Sequence, residues 1–131
     1  MDEASQTILV VDDEPLIRRL LRFSLQPLNL EILEAGTSDE AIEIFDRHQQ
    51  SISLLLTDVV MPGMHGDDLA ARLLESRPNL PVIFISAYCT QIQPALRKFA
   101  CLSKPFRLEE VRSTVREILA RDRHNAAALR T

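Results

Sequence analysis

Ile8-Leu9-Val10-Val11-Asp12-Asp13 and Leu54-Leu55-Leu56-Thr57-Asp58 decide how this chain is read: two short apolar runs, each closed by carboxylates. An apolar run without alternation suits a strand covered on both faces, as in a parallel sheet flanked by helices. If the two runs are neighbouring parallel strands, Asp12, Asp13 and Asp58 emerge together at the carboxyl edge, where open α/β sheets bind ligands. Two unit charges about 4 Å apart at an effective dielectric near 20 repel by roughly 4 kcal/mol, so such a cluster calls for a cation. The placement points to metal-assisted phosphate chemistry.

Outward from these runs, strand-length apolar segments alternate with segments of helical period, the pattern of βαβ crossovers feeding a parallel sheet. Five strands are expected, at Thr7 to Val11, Glu31 to Glu34, Ser53 to Thr57, Val82 to Ser86 and Cys101 to Leu102. Pro15 suits a first helical position and opens a helix whose inward face is Ile17, Leu20, Leu21 and Leu28. Gly36 supplies a turn, and Thr37 with Glu40 has the form of a capping box for a helix burying Ala41, Ile42 and Phe45. A third helix carries Leu69, Leu73 and Leu74 and ends before Pro78. The fourth is short, from near Pro94 to about Phe99, and the fifth carries Leu108, Val111, Val115, Ile118 and Leu119.

With 131 residues and 46% hydrophobic content, the chain is expected to form one domain, 1–131, with a core of about 7–120. The polar stretch 121–131 either extends the fifth helix or serves as a linker. A net charge of −4 and the lack of any basic run argue against nucleic-acid binding. No segment approaches the ~20 apolar residues of a membrane span, and Met1-Asp2-Glu3 is acidic where a signal peptide would be basic. A cytoplasmic location is expected. Cys89 and Cys101 lack paired-cysteine spacing and read as small apolar fillers, not as a zinc site or disulfide. Glycine occurs only at 36, 63 and 66, which excludes a glycine-rich nucleotide loop. His48, His65 and His124 are scattered and carry no expected phosphodonor role.

Asp12-Asp13, Asp58-Val59-Val60-Met61-Pro62-Gly63-Met64-His65-Gly66, Ser86-Ala87 and Lys104-Pro105-Phe106 fall at the ends of strands one, three, four and five. This constellation resembles the response-regulator receiver domain, in that family's order, from about Thr7 to Leu119. The resemblance implies a flavodoxin-like doubly wound fold, with a five-stranded parallel sheet in order 2-1-3-4-5, helices on both faces and here a shortened fourth helix. It further implies that Asp58 is the phosphoacceptor, taking a phosphoryl group from a histidine kinase or phosphotransfer protein. Mg²⁺ would be held by Asp13, Asp58 and the Val60 carbonyl, with Asp12 acting through water. Lys104 and Ser86 would meet the phosphoryl oxygens, and the Lys104-Pro105 bond would be cis, as in the family. Each residue has a plainer reading beside this one. Asp12-Asp13 would suit a helix N-terminus, Asp58 a turn, Ser86 a backbone bond and Lys104 a solvated strand end. Taken together they favour the site.

Some features depart from the family pattern. The aromatic switch position in strand five is Cys101, so a signal must run through Ser86, Ala87 and the following loop, with Tyr88 as a substitute. Ser86 and Lys104 are 18 positions apart, about one helical turn short. The trimmed fourth helix places the usual dimer in doubt, which leaves a different partner surface, a homodimer included, open; together with Tyr88 and the missing strand-five aromatic it resembles receivers of hybrid kinases or stand-alone modules. Neither Val60 nor Tyr88 is an acid or amide suited to aligning an attacking water, so slow self-dephosphorylation is expected. The chain is not expected to be an enzyme beyond catalysing its own phosphorylation and dephosphorylation. The rivals are a Mg²⁺-dependent aspartyl-phosphate phosphatase, whose second acid would stand at Val60, and a non-phosphorylated docking module. The kinase, the input and the downstream effector or fused domain are not legible.

Overall fold

The computed structural model describes residues 6–130, with side chains described as far as Asp122. Five strands, β1 (Thr7–Val11), β2 (Glu31–Ala35), β3 (Ile52–Asp58), β4 (Val82–Ser86) and β5 (Ala100–Ser103), form one sheet in the order β2-β1-β3-β4-β5. Every pairing is parallel, so all carboxyl ends lie on one edge. Helices α1 (Pro15–Leu25), α2 (Ser38–His48), α3 (Gly66–Ser76) and α4 (Leu108–Arg130) complete the fold.

The two-residue period of the strands divides the core. Leu9, Val11, Leu55 and Phe84 point to the side covered by α2 and α3, where Ala41, Phe45, Leu69 and Leu73 meet them. Ile8, Val10, Leu54, Leu56, Ile83 and Ile85 point to the other, against Leu21 and Leu25 of α1 and Val111, Val115 and Leu119 of α4. Because both faces are covered, β1 and β4 are buried along their whole length, which is why they read as unbroken apolar runs. The Ser24 hydroxyl donates to the Leu108 carbonyl at 2.7 Å and Arg112 Nε donates to the Ser24 carbonyl at 2.8 Å, fastening α1 to α4.

Local chemistry sets the helix starts. Pro15 occupies the first turn of α1. Thr37 Oγ1 accepts from the Glu40 amide at 3.0 Å, and the Glu40 carboxylate reaches back to the Gly36 amide at 2.7 Å. The box therefore closes one residue earlier than its usual form.

Three expectations need correction or sharpening. Leu20 is not inward: the buried faces of α1 are Leu21, Ser24 and Leu25, and Leu20 turns to the flank beside exposed Leu16 and Phe23. Leu28 lies in a 3-10 turn (Gln26–Leu28) after α1, ended by Asn29 at φ 58°. The fourth helix is shortened to 3-10 turns at Cys89–Gln91 and Pro94–Leu96, because Pro94 and the close tie of this segment to the sheet leave no room for further turns. In the numbering used here, α4 is thus the expected fifth helix, and it runs through the tail to Arg130. Met1-Asp2-Glu3 and the side chain of His124 lie outside the described residues.

Candidate functional site

The register of β1 on β3 places Val11 opposite Thr57, so Asp12 and Asp58 are the next residues of adjacent strands. Ligand oxygens of Asp12, Asp13 and Asp58 all lie within 4.8 Å of one another. Asp12 and Asp58 are buried, and Asp13 faces solvent. Lys104, following β5, reaches across the edge: its Nζ stands 3.1 Å from Asp58 Oδ2 and 3.4 Å from Asp12 Oδ2. The peptide bond between Lys104 and Pro105 is cis, as expected.

Backbone groups hold the carboxylates in place. Asp58 Oδ1 accepts from the Val59 amide at 2.8 Å and Asp12 Oδ1 from the Glu14 amide at 2.9 Å. The Asp58 carbonyl accepts from Thr57 Oγ1 at 2.8 Å. Arg18 donates to the Asp12 carbonyl at 2.6 Å while pairing with Glu34 at 3.2 Å, which anchors the end of β1 to α1 and β2. Ser86 is buried at the end of β4, and its hydroxyl accepts from the Tyr88 amide at 3.0 Å. Its own carbonyl takes the Lys104 amide at 2.9 Å, which brings Ser86 and Lys104 to the same part of the edge.

Above the cluster a cleft of about 360 Å³ is lined by Asp13, Glu14, Asp58, Val60, Ser86, Ala87, Tyr88, Gln91 and Lys104. Asp12 lies beneath it. Glu14 and Gln91 are lining residues that the sequence did not single out; the first is adjacent to the acidic pair, whereas the second is revealed only by the fold of the 3-10 turn. A second cleft, about 380 Å³, lies at the opposite end of β4 and β5 between Val82, Phe99 and Ile118 and holds none of these groups.

Burial pushes the Asp12 carboxyl above its ordinary value, with the Asp58 charge adding to it, against the Glu14 amide and Lys104, which pull it down. For Lys104, burial favours the neutral amine, but the Asp58 hydrogen bond and the charges of Asp12 and Asp58 outweigh it, so the ammonium persists above its ordinary range. Lys104 thus pairs with two of the three gathered carboxylates, and the excess charge and hard oxygen donors suit a divalent ion. A raised carboxyl pKa means that ionised Asp12 costs stability in the metal-free fold once the pH passes 3.8, its ordinary value, and this cost is absent in acid. Asp12→Asn should therefore raise the melting temperature at pH 7 without metal, and the gain should vanish once the pH falls below the ordinary carboxyl value of 3.8. Thermal scans across pH check this. Lys104 keeps its nearer partner, Asp58, in the variant.

Cys89 and Cys101 correct the expectation of apolar fillers: they form a disulfide, with Cα atoms 6.1 Å apart. Parallel pairing lays Cys101 beside Phe84 of β4, and the 3-10 turn after β4 folds Cys89 back over β5. The spacing of 12 residues carries no local signal of this pairing, because the contact is made by the sheet.

The model of the response regulator receiver domain family matches residues 8–116. The sensor kinase CckA of Brucella abortus is 35% identical over 88% of this chain, which spans only 13% of that relative's length. The response regulator receiver protein CpdR of the same organism is 33% identical over 86% of this chain and 95% of its own. Among solved structures, the response regulator TrrA of Thermotoga maritima in complex with Mg²⁺-BeF is 30% identical, with a TM-score of 0.74 over 86% of this chain and 97% of that one.

Proposed function

Because the chain belongs to the family of response regulator receiver domains, we propose that Asp58 takes a phosphoryl group from the phosphohistidine of a sensor kinase or phosphotransfer protein. The aspartyl phosphate then switches binding to an effector in the cytoplasm. The observation that supports this most is Lys104 Nζ at 3.1 Å from Asp58 Oδ2, beside the three gathered carboxylates.

An oxygen of Asp58 attacks phosphorus as the bond from phosphorus to the donor imidazole breaks. A carboxylate is a weak nucleophile, so the gain comes from alignment and from positive charge near the oxygens. Asp13, Asp58 and the Val60 carbonyl would hold Mg²⁺, with Asp12 behind them through water. Bound there, the ion would neutralise charge on the transferring group. Lys104 gives its ammonium to Asp58 before transfer and to a phosphoryl oxygen afterwards, and Ser86 offers its hydroxyl to another. The donor is proposed to approach over α1, which begins two residues beyond Asp13 and exposes Leu16 and Phe23 at 64% and 60%.

Val60 and Tyr88 line the cleft and are exposed, yet neither is an acid or amide suited to aligning a water for attack on the acyl phosphate. The phosphorylated form should decay over minutes or longer, and Val60→Asn should speed the decay several-fold. Following phosphoryl loss after removal of the donor measures both; decay within seconds that Val60→Asn leaves unaltered contradicts the assignment.

Incubation with acetyl phosphate and Mg²⁺ tests the function as a whole. A receiver gives lasting stoichiometric labelling and no turnover beyond its own phosphorylation and dephosphorylation. A phosphatase would release phosphate steadily, and a docking module would not react.

A further inference from the structure

The disulfide sits where the cleft wall meets the sheet. Cys89 opens the 3-10 turn that carries Gln91, next to Tyr88, and both of these line the cleft. Cys101 lies in β5, three residues before Lys104. The bond therefore ties the wall of the cleft to the strand that delivers the lysine. Farther along, Gln93 holds the same segment to α3, its amide donating to Asp67 Oδ2 at 3.0 Å, while Ile92 is buried in the core. Between Ser86 and Ile92, Tyr88, Thr90 and Gln91 face solvent. Position 89 is thus the covalent anchor of an otherwise outward-facing stretch.

Both cysteines are partly accessible, as thiol exchange requires. We propose that Cys89 and Cys101 are a reversible dithiol–disulfide modification site whose oxidation tethers the cleft wall to β5 and slows phosphoryl transfer to Asp58. The second half rests on the receiver reading above. The oxidant is a small-molecule disulfide of the glutathione class. One cysteine thiolate attacks it, forming a mixed disulfide and releasing one thiol. The other cysteine then attacks the mixed disulfide and releases the second. Two electrons and two protons pass from the cysteine pair to the oxidant, which leaves as two thiols. In a reducing compartment the dithiol is the resting form, and the tether forms as the thiol pool becomes oxidised. Tyr88 and Gln91 line the cleft that receives the donor, and a tethered wall adjusts less to what enters.

The test equilibrates the whole chain in glutathione buffers from fully reduced to fully oxidised. Free thiols are counted by alkylation and mass, amide exchange is read over residues 88–92, and acetyl phosphate labelling is timed in each state, with Cys89→Ser as control. The expected result is a reversible change from two alkylated cysteines to none. Exchange over 88–92 and labelling should both be at least about threefold slower when oxidised, with no redox effect in Cys89→Ser. A pair that remains thiol at every glutathione ratio, exchange that is the same in both states, or labelling of the oxidised form that is equal or faster overturns the proposal. If neither state labels while the exchange difference persists, the receiver reading fails and the tether is supported.

Discussion

Gly66→Ala should be strongly damaging, costing about 3 kcal/mol or more in denaturant unfolding or preventing soluble expression. A Cβ at this position would stand inside the van der Waals envelope of the Asp58 carbonyl oxygen and 2.8 Å from Thr57 Oγ1. Neither neighbour can retreat easily: one is the end of a buried strand, and the other is a buried hydroxyl already bonded to that carbonyl. The Gly66 amide also donates to the Val59 carbonyl at 2.7 Å, which brings the start of α3 against the turn that positions Asp58. Any fraction that folds should therefore label poorly as well. A variant with wild-type stability and labelling would show that this close approach constrains nothing.

Asp58→Asn should abolish acetyl phosphate labelling, by at least about a hundredfold, while leaving the fold intact. Asparagine has nearly the same shape, and its carbonyl oxygen can accept the 2.8 Å bond from the Val59 amide. What it loses is the nucleophilic charge. Removing one of three crowded carboxylates should hold or raise the metal-free melting temperature, so loss of labelling would not be a folding defect. Labelling at the wild-type extent would mean that another carboxylate is the acceptor.

The candidate site was legible because its residues sit at strand ends, and apolar runs mark strand ends directly. Once Ile8 to Val11 and Leu54 to Thr57 are neighbours, Asp12, Asp13 and Asp58 must converge, and the register of β1 on β3 brings them together. Lys104 and Ser86 follow for the same reason at β5 and β4. Features made by packing between distant segments were not legible. Leu20 has the spacing of an inward residue, but which flank of α1 is covered depends on where α4 lies, and that leaves Leu20 37% exposed. Pro94 showed that the fourth helix had to be short, yet its reduction to 3-10 turns depends on how residues 89–99 are tied to α3 and β5. Cys89 and Cys101 look unrelated until β5 pairs with β4. Gln91 joined the cleft by the same folding back of the chain.

The most direct measurement of the central claim is to locate the phosphoryl group. The protein is treated with acetyl phosphate and Mg²⁺, reduced with borohydride to trap any acyl phosphate, digested and sequenced by mass spectrometry. The account predicts one modified position, residue 58, and no modification when the divalent ion is chelated. A modification at Asp12 or Asp13 instead, or labelling of residue 58 that is indifferent to the ion, would contradict it.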